Sequence, residues 1–137
     1  MAWFSPLPPD PSGIAAYSAE VAPLLRPHLG ALDLYGPDST APGTDRPRTQ
    51  DFVWRHRRAP YDLIVYQLGN SPAHDFMWGY LFRYPGLVVL HDAQVHQARA
   101  LHLLLRRSPR LDDYLAEFAA NHPDADPDAG YMVAGGL

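Results

Sequence analysis

A histidine–aspartate pair, His91-Asp92, follows the unbroken apolar run Leu87-Val88-Val89-Leu90. An imidazole in such a place can accept from or donate to a sugar hydroxyl, or assist proton transfer, and a neighbouring carboxylate can tune it. The plain alternative is a histidine packed at a strand end and bonded to backbone. Gln67, Asn70 and His74 form a second group. Carboxamides and imidazole donate and accept at once, which suits the hydroxyls of a polyol. Asn70 is equally suited to capping the helix that Pro72 opens. Ser12-Gly13 is the third group, where the chain turns from loop into helix. A glycine there lets a ligand approach the backbone, and the helix N-terminus behind it favours a phosphate. A simple tight turn accounts for the same residue.

Other chemistries fit the spacing less well. His91, Asp92, His96 and His102 invite a metal, but His91 lies outside the following helix. His96 and His102 fall on different helix faces rather than at i, i+4. They are expected to be surface or helix-packing residues, and no metal or other cofactor is expected. There is no Gly-x-Gly-x-x-Gly and no Gly-Lys-Ser/Thr, so dinucleotide and P-loop binding lack support. The aromatics Phe76, Trp78, Tyr80, Phe82 and Tyr84 crowd one helix. Core packing is their expected use, with Trp78 or Tyr80 as the pair able to stack on a sugar.

These groups must be held by strands and helices in alternation. Ala2–Leu7 reads as a buried strand ending in a proline-rich turn. Ile14–Leu29 reads as a helix with Ser12 as N-cap, a face of Ile14, Tyr17, Val21, Leu24 and Leu25, and a kink or restart at Pro23. Ala31–Tyr35 is a second strand. Gly36–Pro60 is a long polar connection with a short strand expected at Asp51–Trp54. Tyr61–Leu68 is the clearest strand, its run Leu63-Ile64-Val65 suited to a parallel strand covered on both faces. A helix from Pro72 to Tyr84 leads to the strand at Leu87–Leu90. Helices follow at Ala93–Arg107 and, after a restart at Ser108-Pro109, at Arg110–Asn121. An acidic turn at Asp124–Asp128 precedes an apolar stretch, Tyr131-Met132-Val133. The alternation predicts βαβ units and a Rossmann-like parallel sheet with flanking helices, an α/β fold. Ligands of such sheets bind beyond the carboxyl ends of the strands, and the loops with Pro11-Ser12-Gly13, with Gly69-Asn70 and His74, and with His91-Asp92 fall there.

Composition narrows the classes further. A net charge of −4 argues against a general nucleic-acid binder, which needs clustered positive charge. The one basic cluster, Arg55-His56-Arg57-Arg58, reads as a solvated surface. All the positive charge at neutral pH is arginine, with no lysine, the mark of codon bias rather than of function. The lack of cysteine excludes disulfides and thiolate metal sites and fits a reducing cytosol. There is no signal-peptide pattern, and no stretch approaches the ~20 apolar residues of a membrane span.

Three segments resemble bacterial family 4 glycosyltransferases. They are Phe4-Ser5-Pro6-Leu7-Pro8-Pro9 with Ser12-Gly13-Ile14-Ala15 and Tyr17-Ser18; Tyr66-Gln67-Leu68-Gly69-Asn70 with His74; and Pro85-Gly86-Leu87-Val88-Val89-Leu90-His91-Asp92 with His96. They occur in the family's order. The resemblance implies a GT-B enzyme, in which two Rossmann-like domains face each other across a cleft. The N-terminal domain mostly holds the acceptor and the C-terminal domain the nucleotide-sugar donor. Sugar is transferred with retention, generally without a metal. Carried over, Gly13 with Ser12 would lie against the donor's diphosphate or the transferred sugar, and His91 near the reacting sugar. Gln67, Asn70, His74 and Asp92 would border the acceptor.

The family's donor-binding segment matches nothing in this chain. Residues 1–137 are therefore expected to be an incomplete acceptor-side N-terminal domain, inactive by itself, whose partners are a nucleotide-sugar donor and a sugar-type acceptor. A cytoplasmic location is expected. Peripheral association with the inner face of the membrane and self-association through the unfinished sheet edge are both compatible with it. Two other classes compete: a stand-alone noncatalytic α/β module that binds a sugar or protein, and a small hydrolase or phosphatase built around His91-Asp92. The second lacks further carboxylates at strand ends.

Overall fold

The computed structural model describes residues 1–37, 46–105 and 109–135. Four strands, β1 (Ala2–Phe4), β2 (Asp33–Tyr35), β3 (Ile64–Leu68) and β4 (Leu87–Leu90), form one parallel sheet in the order β2-β1-β3-β4. The helices are α1 (Gly13–Leu25), α2 (Phe52–Arg58), α3 (Trp78–Arg83), α4 (His96–Leu104), α5 (Leu111–Asn121) and α6 (Ala129–Gly135). This is the expected α/β, Rossmann-like architecture. The described residues divide into two compact units. Residues 1–69 and 73–93 carry the sheet with α1 to α3, and residues 70–72 and 94–137 carry α4 to α6. Among the described residues no helix is long and apolar enough to cross a membrane.

Strand parity sorts the core of the first unit onto two faces. Phe4 pairs in register with Tyr35 and Tyr66. It stacks on both, with ring centroids 5.0 Å and 4.9 Å away, and meets Phe52 of α2 edge-on. Burial pushes the Tyr35 and Tyr66 phenols far above the usual tyrosine range, Tyr35 also through its hydrogen bond to Tyr61. On the other face the registered neighbours Trp3, Leu34 and Val65 pack against α1 through Ala22, Val21 and Leu25.

The buried face of α1 is only partly the one expected, with Val21 and Leu25 packed inward as expected. Ala15, Ser18 and Ala22 are inward, whereas Tyr17 and Leu24 are 40% and 70% exposed. Small side chains let the helix approach the sheet closely, and Ser18 is admitted because its polarity is satisfied. Trp3 Nε1 donates to Ser18 Oγ at 3.1 Å, Ser18 and Ser5 hydroxyls meet at 2.7 Å, and Ser5 Oγ donates to the Pro6 carbonyl. The helix also runs through Pro23, ending at Leu25 with a 3₁₀ turn over Arg26–His28.

Asp51–Trp54, expected as a strand, is helical, with a 3₁₀ turn over Thr49–Asp51 leading into α2. Helical winding presents Phe52 to the Phe4–Tyr35 cluster while Trp54 stays out in solvent. Residues 38–45 of the long connection, Ser108 at the expected restart, and residues 136–137 lie outside the described residues. β3 is buried throughout, as a central parallel strand should be. β4 is one of the two edge strands, and its Leu87 and Leu90 are 53% and 58% exposed.

In the second unit Ala100 and Leu103 of α4 pack on Tyr114 of α5, with Leu115 and Phe118 beside them. Arg99 forms an ion pair with Glu117, which ties α4 to α5.

Candidate functional site

In the order β2-β1-β3-β4 the chain leaves β1 to one side and returns on the other. The topological switch therefore lies between β1 and β3, and the crevice beyond it is where such sheets bind ligands. The first unit brings the loops after β1, β3 and β4 together at this point. Gly69 marks the meeting place. A methyl group there would come within 2.5 Å of Ile14 Cδ1, 2.9 Å of His74 Cε1 and 3.1 Å of Asp92 Oδ2. The absence of a side chain is thus what allows three segments, distant in sequence, to converge.

The loop after β1 is organised by its own side chains. Asp10 Oδ1 accepts from the Ser12 amide at 2.9 Å, and Ser12 Oγ accepts from the Ala15 amide at 3.2 Å, as an N-cap should. The Ser12 hydroxyl hydrogen is still available to a ligand. Gly13, the first residue of α1, is exposed, and nothing lies within 4 Å of where its Cβ would be. Packing therefore does not require glycine there.

His91 is exposed just past β4, and its backbone amide donates to the Leu68 carbonyl at 2.9 Å. Its ring Nε2 lies 2.7 Å from Gln67 Oε1. The ring of Tyr17 meets the imidazole edge-on, with centroids 5.1 Å apart. Asp92, beside Gly69, is exposed as well. The structure sets the Gln67 carbonyl against the ring.

Gln67, expected at the acceptor, is fully buried. Parity puts it on the α1 side of the sheet, two residues beyond Val65 and in register with Val89. Its Nε2 has no hydrogen-bond partner among the described residues, a deficit that costs about 1–3 kcal/mol in a buried position. His74 is also buried, in contact distance of Gly69 but turned away from solvent. Asn70 belongs to the second unit, where its Oδ1 accepts from the Ala98 amide at 2.8 Å. It caps α4, 28 residues away. A chain reversal of that length cannot be foreseen from local spacing.

Trp78 is buried and stacks on Phe82, and Tyr80 packs on Phe4, so both aromatics serve the core. His96 packs on Tyr114 and Phe118. Among the described residues no three histidine or acidic side chains are grouped to hold a metal ion. Two residues of the site were not singled out beforehand as site residues, Gly69 and Tyr17. Tyr17 stands one turn after Gly13 on α1, the i, i+4 spacing that puts it above the same crevice.

Compared with models of known protein families, with curated proteins and with solved structures, the chain matches none.

Proposed function

We propose that this chain is the acceptor-side part of an enzyme that moves a sugar from a nucleotide-sugar donor to a hydroxyl acceptor, with retention. The observation that carries the reading is the convergence of the segments that carry Gly13, Gly69, His91 and Asp92 at the switch point of a parallel sheet, through Ile14 and Tyr17 of α1. The three motifs that resemble family 4 glycosyltransferases are the segments that supply these residues. On this reading the exposed Gly13 backbone admits the diphosphate or the transferred sugar at the N-terminus of α1. His91 meets a sugar hydroxyl with its free ring nitrogen, and Asp92 borders the acceptor.

No residue of this chain is assigned to neutralise the leaving diphosphate, which is usually a large part of such catalysis. The 137 residues alone are therefore expected to give no sugar transfer. The direct test is amide NMR during titration with a panel of nucleoside diphosphate sugars and neutral glycans. Shifts confined to Gly13, Gly69, His91 and Asp92 are expected. Shifts only elsewhere, or none at millimolar ligand, would overturn the site, and clear turnover would overturn the acceptor-side assignment.

A further inference from the structure

Gln67 is an odd residue for its position. It lies fully buried on a central strand, on the face otherwise built from Trp3 and Val65. A leucine or methionine there would pack without leaving a polar atom unsatisfied, whereas the Gln67 Nε2 has no partner among the described residues. A buried polar group kept in that condition needs an explanation outside core packing. The other half of the same amide supplies one, because Oε1 lies 2.7 Å from Nε2 of the exposed His91.

We infer that Gln67 is a positioning residue that holds His91 as its Nε2–H tautomer and so presents Nδ1 as the ring's free acceptor. The carbonyl, rather than the NH₂, faces the ring for a physical reason. A carbonyl accepts from Nε2–H whether the imidazole is neutral or protonated, whereas an NH₂ would oppose the N–H of the protonated ring. Tyr17 also limits the ring, with centroids 5.1 Å apart at 71°. Orientation and tautomer are thus set from within the sheet and α1, and not by the substrate. A ring so fixed offers one defined lone pair to a hydroxyl proton. That use of Nδ1 rests on the sugar-transfer reading; the tautomer does not.

Long-range ¹H–¹⁵N NMR of the imidazole, recorded with the ring neutral, tests the assignment. The unaltered chain is expected to show the Nε2–H form. Gln67→Met, close in volume but without an acceptor, is expected to shift the tautomer ratio toward Nδ1–H by about two- to tenfold, the worth of one net hydrogen bond. Gln67→Glu, which keeps an oxygen in place, is expected to retain the Nε2–H form. A purely packing role would leave the tautomer unmoved by either change. An Nδ1–H or evenly mixed ring in the unaltered chain overturns the inference, and so does an unchanged ratio in folded Gln67→Met. If that variant does not fold, the unaltered chain's spectrum decides. Failure of the ligand titration with the Nε2–H form intact would sink the sugar-transfer reading alone.

Discussion

Ser18→Ala removes one oxygen from the buried chain Trp3–Ser18–Ser5–Pro6, and its cost can be worked from the contacts. Trp3 Nε1–H loses its acceptor and stays buried, which costs about 1–3 kcal/mol. Ser5 loses a neighbour but keeps the Pro6 carbonyl as acceptor, so its share is smaller, about 0.5–1 kcal/mol. Alanine's better helix propensity returns up to about 0.5 kcal/mol. The net is a loss of about 2 kcal/mol. With a urea m-value of about 1–3 kcal/mol/M, the unfolding midpoint should fall by about 1 M.

The mechanism, as opposed to the size, is checked by repeating the substitution in a Trp3→Phe background. Trp54 and Trp78 still report unfolding by fluorescence there. With no indole N–H to orphan, Ser18→Ala should cost at least ~0.5 kcal/mol less, a coupling well within what neighbouring buried groups show. Equal costs in the two backgrounds would refute the account. The bond matters for the site because it anchors α1, and hence Ser12 and Gly13, to the end of β1.

Three other outcomes follow from the geometry. Gly69→Ala should destabilise the chain by about 1–3 kcal/mol, read as a lower thermal midpoint, because the Ile14 side chain, the His74 ring and the Asp92 carboxylate must all move; an unchanged midpoint would show that the three loops do not meet as described. Gly13→Ala should leave unfolding free energy within about 0.5 kcal/mol of the original while weakening the ligand-induced shifts at the N-terminus of α1; a large loss of stability would mean that packing, not a ligand, demands the glycine. Tyr35 and Tyr66 have phenols raised above their unfolded value of about 10, so the folded state holds protons that the unfolded state has lost. Their contribution is fully present below that pH and declines above it, and the phenolate absorbance of both should appear together with unfolding. If Tyr35→Phe and Tyr66→Phe leave the alkaline limb of the stability curve unchanged, the burial account fails.

Much of this protein is determined within short stretches of sequence. The runs at Ile64–Leu68 and Leu87–Leu90 are strands because short, mainly apolar runs bounded by turn formers have few other uses, and alternation with helices makes the sheet parallel. Ser12 caps α1 because the residues it needs are three positions away. Strand ends can be located in this way, and with them the stretches where a ligand would bind. What the side chains do at those ends was decided only in three dimensions. Gln67 meets His91 across 24 residues and Asn70 caps Ala98 across 28, so each partner is chosen by register and chain path. The inward turn of Ser18 and the helical form of Phe52–Arg58 likewise depend on neighbours from other strands. Periodicity is a local property of the chain, whereas satisfying a buried polar group or filling an aromatic cluster is a property of everything packed around it.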